Sequence, residues 1–215
     1  MSNLFSYDNP IISGLNKCAD CILLSLFWFI FSIPIFTFGA ATTALYYTVN
    51  KVIRHNRSHV WREFWGSFKS NFKQSTIISL ILFVLFVIAG VDFFLVFKVA
   101  PKSLQIFAIV FSAIINILLV WSIYLFTYVA RFVCTIKIAF KNTFLIMTIN
   151  LLWSVLLWFI LIIVVLALCV IPFAIFIVPT VGTLLMNLIL ERVYKKYMSP
   201  EDLEKEKELN REYFD

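Results

Sequence analysis

Three apolar runs, Ile77 to Gly90, Ile106 to Val120 and Leu151 to Ile171, constrain this chain more than any other feature. Backbone N–H and C=O groups buried in hydrocarbon must be satisfied within the segment itself, and an α-helix of about 20 mostly apolar residues does this across a bilayer. The runs do not alternate polar with apolar residues, which argues against a β-barrel. With 62% hydrophobic and only 14% charged residues among 215, the chain has too little polar surface to cover a soluble globule. The fold class that follows is all-α, a polytopic transmembrane helical bundle in a lipid bilayer.

Charge orients the bundle. Residues 50–73 carry Lys51, Arg54, Arg57, Arg62, Lys69 and Lys73 against the single acid Glu63, which makes this an inner, cytoplasmic loop. The chain then runs outward from about residue 75 to 97, turns at Pro101, returns over 104–130 to Arg131, Lys137 and Lys141, leaves again over 144–170, and comes back over 174–193 to a basic end. A charged cytoplasmic tail, 199–215, holds seven of the twelve acids, so the body of the chain is strongly basic. A cleaved signal peptide is disfavoured. Lys17, the run Ile22 to Ile33 and the small residues Gly39 to Ala41 mimic its three regions, but the lead-in carries Asp8 and Asp20 and the core is aromatic.

The opening segment, "SIPIFTFGAATTALYY" (residues 32–47), decides the number of crossings. Pro34 followed by Thr37-Phe38-Gly39 echoes Pro172 followed by Thr180-Val181-Gly182, and each precedes a shorter apolar helix that ends in basic residues. Reading both as outer turns gives six membrane segments, the first two at 15–33 and 39–53, with both termini cytoplasmic; five segments with an outer N-terminus is the alternative. An internal repeat is expected as well. Residues 67–88 align with 139–160, matching Phe68 with Phe140, Lys69 with Lys141, Phe72 with Phe144 and Thr76 with Thr148.

The inner loop, 54–74, contains an amphipathic stretch, 59–73, in which Trp61, Phe64, Trp65, Phe68 and Phe72 recur at spacings of three and four while Lys69 and Lys73 fall mostly on other faces. Such a helix lies at the membrane interface, with rings at headgroup level and cations toward lipid phosphates, or docks a partner. A similar elbow is expected between Arg131 and Lys141. His55, His59 and Glu63 share a spacing of four, but "HNRS" reads as a turn and breaks the alignment a metal site would need. Cys18 and Cys21 form a C-x-x-C that precedes a membrane helix and reads as packing thiols. No metal, cofactor or nucleic-acid site is expected.

Polar residues inside the spans are few. Asp92 falls near the outer interface, within reach of Lys98 and Lys102, while Asn116, Asn150 and Asn187 are expected to bridge helices. No phosphate-binding loop, zinc-protease motif, nucleophile elbow or paired carboxylates are present, so the chain is not expected to be an enzyme.

A recognisable pattern extends over most of the chain, its specific motifs falling in the N-terminal third. Asn9-Pro10, the Pro-x-x-T-x-G-A break at Pro34 to Ala40, the Thr43-Ala44-Leu45-Tyr46-Tyr47 helix and the aromatic, lysine-rich stretch after it together resemble the YesL-like family of bacterial membrane proteins. The resemblance implies a small integral protein of the bacterial cytoplasmic membrane, encoded beside carbohydrate importers and glycan-degrading enzymes, with no established activity and no catalytic residues to transfer. It singles out Pro34, Gly39, Ala40, Thr43, Ala44, Leu45, Tyr46 and Tyr47 as the distinctive patch. The functional expectation is an accessory component that binds a carbohydrate ABC-type permease, with homo-oligomers also open. The alternative is a small transporter with a substrate site at the repeat interface, lined by Asn116, Asn150, Thr42 and Thr43.

Overall fold

A computed structural model describes residues 10–55, 59–99, 101, 104–201 and 203–204. Every regular element among them is helical. Helix α1 spans Pro10–Ser32 and α2 Phe38–Thr48, extended by a wider π-turn segment, Val49–Arg54; α3 spans Val60–Phe94, α4 Phe107–Arg131, α5 Ile136–Ile149, α6 Leu151–Val170 and α7 Val178–Tyr194. Four helices are long and apolar enough to cross a membrane: Gly14–Ser32, Val60–Val99, Phe107–Arg131 and Leu151–Val170. Helices α2 and α7, counted above as membrane segments, have 11 and 17 residues.

The breaks follow from proline. Residue 33 cannot easily stay helical ahead of Pro34, so α1 ends at Ser32 and a short 3-10 turn, Ile35–Thr37, leads into α2. The Thr37 hydroxyl sits within hydrogen-bond range of Phe31 O at 2.7 Å, a carbonyl near the helix end, and of Pro34 O at 2.8 Å, which also accepts from the Thr37 N–H. Trp28 then donates to Thr42 Oγ1 across the turn at 3.2 Å, closing a hairpin. Pro172 does the equivalent after α6: Ile171 is extended, a 3-10 turn occupies Pro172–Phe176, and Pro179 lies in the first turn of α7, where its missing N–H costs nothing.

Helix α2, the shortest, is the hub. It packs against α1, α3, α4 and α7, and Ala40, Ala41, Thr43 and Ala44 are fully buried. The close approach is made at Gly39, where a Cβ would stand 2.6 Å from Ser75 O, 2.7 Å from a Phe126 ring carbon and 2.8 Å from Ser79 Cβ. Small residues let helix backbones meet in this way, and in lipid such packing supplies much of the association energy. Thr43 Oγ1 adds a 3.0 Å contact to Ser75 Oγ, so α2 and α3 are joined by polar atoms as well as by shape.

Two expectations look different in the fold. The aromatic stretch 59–73 is not a separate element but the start of α3, which runs unbroken for 35 residues, about 50 Å. That exceeds the roughly 30 Å hydrocarbon core, so one end of α3 projects beyond it. The two stretches aligned as a repeat also differ: 67–88 lies within continuous α3, whereas 139–160 crosses a bend at Asn150, where φ is −106° and ψ 48°. The charged tail lies largely outside the described residues, as do Asn9, Arg57 and Lys102.

Candidate functional site

Two features meet inside the bundle: a buried carboxylate cluster at the basic end, and an apolar cavity beside it. The cluster draws on three helix faces. Tyr46, Asn50 and Arg54 follow one another at intervals of four along α2 and its extension; Thr127 and Arg131 share a face of α4; Asn187, Glu191 and Tyr194 share a face of α7. Glu191, 1% exposed, is the centre. Its Oε1 accepts from the Tyr46 hydroxyl at 3.2 Å and from Asn50 Nδ2 at 3.3 Å, and its Oε2 pairs with Arg131 Nη2 at 3.1 Å. One turn earlier on α7, Asn187 Oδ1 accepts from Arg54 Nη1 at 2.9 Å. One turn later, the Tyr194 hydroxyl sits 2.6 Å from Thr127 Oγ1 and donates to Tyr124 O at 3.3 Å.

A buried carboxylate without partners would be prohibitively costly, so these contacts are what allow an acid here at all. The arrangement ties both α2 and α4 to α7, because groups from each bond to Glu191. Among the described residues, no three His, Cys, Asp or Glu side chains come together to hold a metal. His55 closes the π-turn segment with Nδ1 2.6 Å from Asn50 O, whereas His59 lies in extended backbone just before α3, so the two do not share a helix face.

The cavity, about 420 Å³, is enclosed by α1, α2, α3, α4, α6 and α7, which contribute among others Trp28, Thr42, Leu82, Phe126, Val164 and Gly182. Tyr46 and Thr127 line it too, so its inner end touches the carboxylate cluster. The Pro34 break borders it through Ile35 and Phe38, and Pro179 borders it from the first turn of α7.

The residues singled out from the sequence are distributed as follows. In the patch around Gly39, Leu45 and Tyr46 line the cavity, while Tyr47 receives Lys51 Nζ over its ring at 5.6 Å. Lys51 also pairs with Glu63 at 2.8 Å. In the aromatic stretch, Phe64 and Phe68 are core residues against Phe31, with ring centroids 5.7 and 5.1 Å away, whereas Trp61 and Phe72 face outward and Lys69 covers Trp65 at 4.8 Å. The asparagines bridge elements: Asn116 Oδ1 accepts from Trp158 at 2.8 Å, and Asn150 Nδ2 donates to Tyr197 at 2.8 Å. Asp92 is half-buried near the end of α3, and Lys98 lies over the Phe97 ring at 5.5 Å rather than in an ion pair with it. Of Thr42, Thr43, Asn116 and Asn150, Thr42 lines the cavity and the other three do not. Glu191 was not singled out; its one signal is the spacing of four and three from Asn187 and Tyr194.

This architecture is that of a multi-pass helical membrane protein. Residues 21–93, from within α1 to the end of α3, match a family described as "Protein of unknown function, DUF624". The matched stretch contains the Pro34 turn, the Gly39 contact and the aromatic start of α3, and over it the chain is similar to that family. No curated protein and no solved structure matches the chain.

Proposed function

We propose that this chain is a non-catalytic accessory component of the bacterial cytoplasmic membrane, YesL-like in kind, that binds or stabilises a carbohydrate ABC-type permease. One observation carries the reading: several polar side chains of the spans are engaged with side chains of neighbouring helices. Ser25 contacts Thr180 at 2.7 Å, Thr43 contacts Ser75 at 3.0 Å, Trp158 donates to Asn116 at 2.8 Å and Trp121 donates to Thr143 at 3.0 Å. A sugar path needs polar groups turned toward the permeant, and these are turned toward neighbouring helices. The resemblance of the N-terminal third supplies the importer as partner. Six crossings with both ends cytoplasmic fit the basic residues at the ends of α2, α4 and α7.

Purification of the tagged protein from its native membranes in mild detergent, followed by mass spectrometry, tests this. A sugar permease or its ATPase should be recovered at near-stoichiometric amounts. Recovery of the chain alone, as monomer or homo-oligomer, overturns the reading.

The transporter reading is favoured by a different observation, the convergence of the Pro34 break and the Pro179 start of α7 on one cavity. Broken helices facing a shared site are how many small transporters bind substrate. Uptake by the purified protein in liposomes separates the two readings, since an accessory component carries nothing by itself.

A further inference from the structure

We infer that the cavity is a binding site for one acyl chain of a bilayer lipid, entered sideways from the hydrocarbon layer. This is independent of the importer association and of transport.

The rim identifies the medium from which the cavity fills. Ile35, Phe38, Phe83 and Val165 border it and are 67%, 42%, 49% and 49% exposed, so the cavity opens between apolar side chains on the lipid-facing surface. Deeper, Leu82 and Phe126 are 2% and 4% exposed and Tyr46 and Thr127 close the inner end. An occupant arriving through that rim comes from the hydrocarbon layer and must itself be apolar.

The wall identifies its chemistry. Four of the six hydroxyls that line the cavity are committed within the protein: Thr42 donates to Phe38 O at 2.8 Å, Ser122 to Leu119 O at 2.7 Å, Thr127 to Ile123 O at 2.7 Å, and Tyr46 to Glu191 at 3.2 Å, which leaves Ser79 and Thr183. Ordered water needs two to four polar partners, and two hydroxyls on an otherwise apolar wall leave water, like any polar solute, few groups to bind. Left empty, a space of this size would forfeit the close packing that interiors otherwise reach. Its volume, about 420 Å³, is that of a small-molecule pocket, typically about 300–1,000 Å³. A flexible hydrocarbon chain satisfies all of these conditions. Its headgroup stays in the interface near the Pro34 and Pro172 turns, and its methyl end reaches toward Tyr46 and Thr127.

The test uses the full-length protein in phosphatidylethanolamine/phosphatidylglycerol vesicles containing a trace of phosphatidylcholine with a diazirine at the end of one acyl chain. After irradiation, labelled residues are mapped by peptide mass spectrometry. Label on Leu82 or Phe126 is expected, because their burial leaves the cavity as the route to them. Label confined to outward residues such as Val87, Phe159 and Ile163 overturns the proposal. In a Ser122→Trp variant the indole occupies the cavity, so label on Leu82 and Phe126 should be lost while label on Phe159 remains; undiminished label at the buried positions also overturns it. The wild-type map decides the matter should that variant fail to fold. Native mass spectrometry of the protein from its own membranes should show a retained phospholipid, and a retained non-lipid apolar molecule in its place would overturn the assignment to lipid.

Discussion

Replacing Gly39 with alanine should destabilise the bundle, although the same change at Gly66 or Gly90 in α3 should not. Alanine in place of helical glycine gains about 0.5–1 kcal/mol from backbone entropy alone. At Gly39 that gain is opposed by three contacts below 3.0 Å around the new Cβ. The Phe126 ring can turn aside, but Ser75 O is backbone and Ser79 Cβ is fixed to it, so α2 must move off α3 as a unit. The movement stretches the 3.0 Å contact between Thr43 and Ser75 and loosens the alanine face that follows Gly39. Overpacking of this kind costs about 1–3 kcal/mol, which, less the entropic gain, leaves a net loss of up to about 2.5 kcal/mol. For a chain of this size each 1 kcal/mol lowers Tm by about 2–4 °C, so the fall is at most about 10 °C. Gly66 and Gly90 provide the controls, since a Cβ at either meets nothing within 4 Å. Thermal unfolding in mild detergent, read by size-exclusion of a fluorescent fusion, should place Gly66→Ala and Gly90→Ala at or above wild type and Gly39→Ala below it. A Gly39→Ala protein as stable as Gly66→Ala would refute the seating of α2 on the backbone of α3.

The carboxylate cluster makes a second expectation. Glu191→Leu removes the carboxylate that pairs with Arg131 and accepts from Tyr46 and Asn50 and should cost about 3–5 kcal/mol, whereas Glu191→Leu with Arg131→Met should recover most of that loss; equal stability of the single and double variants would refute a paired, buried charge. A third concerns Cys134, in the linker between α4 and α5, where burial raises the thiol pKa above its ordinary value and outweighs the opposing contact from Gln74. The reactive thiolate is therefore scarcer near neutral pH than in the unfolded chain, and maleimide should label Cys134 more slowly in mild detergent than in denaturing detergent at the same pH. Equal rates would show the thiol to be open to solvent.

The long helices and their interruptions were legible because each rests on a local rule. Apolar runs of sufficient length must be helical in lipid, and Pro34 and Pro172 must end what precedes them. What lay beyond the sequence depends on which side of a helix faces protein. Helix α2 reads as a weak span because it is short and carries Thr42, Thr43 and Asn50; it is the most enclosed helix for the same reason, since its small and polar residues contact other helices instead of lipid. The aromatic spacing of Phe64 and Phe68 fits an interfacial helix and a packed stripe equally well, and only Phe27 and Phe31 on α1 decide for the stripe. Glu191 was hidden by its neighbours. It falls between Leu190 and the basic residues that mark a cytoplasmic helix end, and its partners Tyr46 and Arg131 are far away in the chain.

Tyr46 connects the two features that distinguish this interior. Its ring closes the inner end of the apolar cavity and its hydroxyl holds Glu191, so one side chain meets hydrocarbon on one side and a charged network on the other. A tyrosine suits that boundary, with an apolar body and a single polar tip. The same division runs along α2, where Leu45 and Thr42 face the cavity while Asn50 and Arg54, one and two turns beyond Tyr46, reach Glu191 and Asn187. Occupancy of the cavity and the register of α2 against α4 and α7 thus act on the same helix from opposite ends. A change that moves Tyr46 out of the cavity floor lengthens its bond to Glu191, and a change that frees Glu191 removes what holds the Tyr46 ring in place.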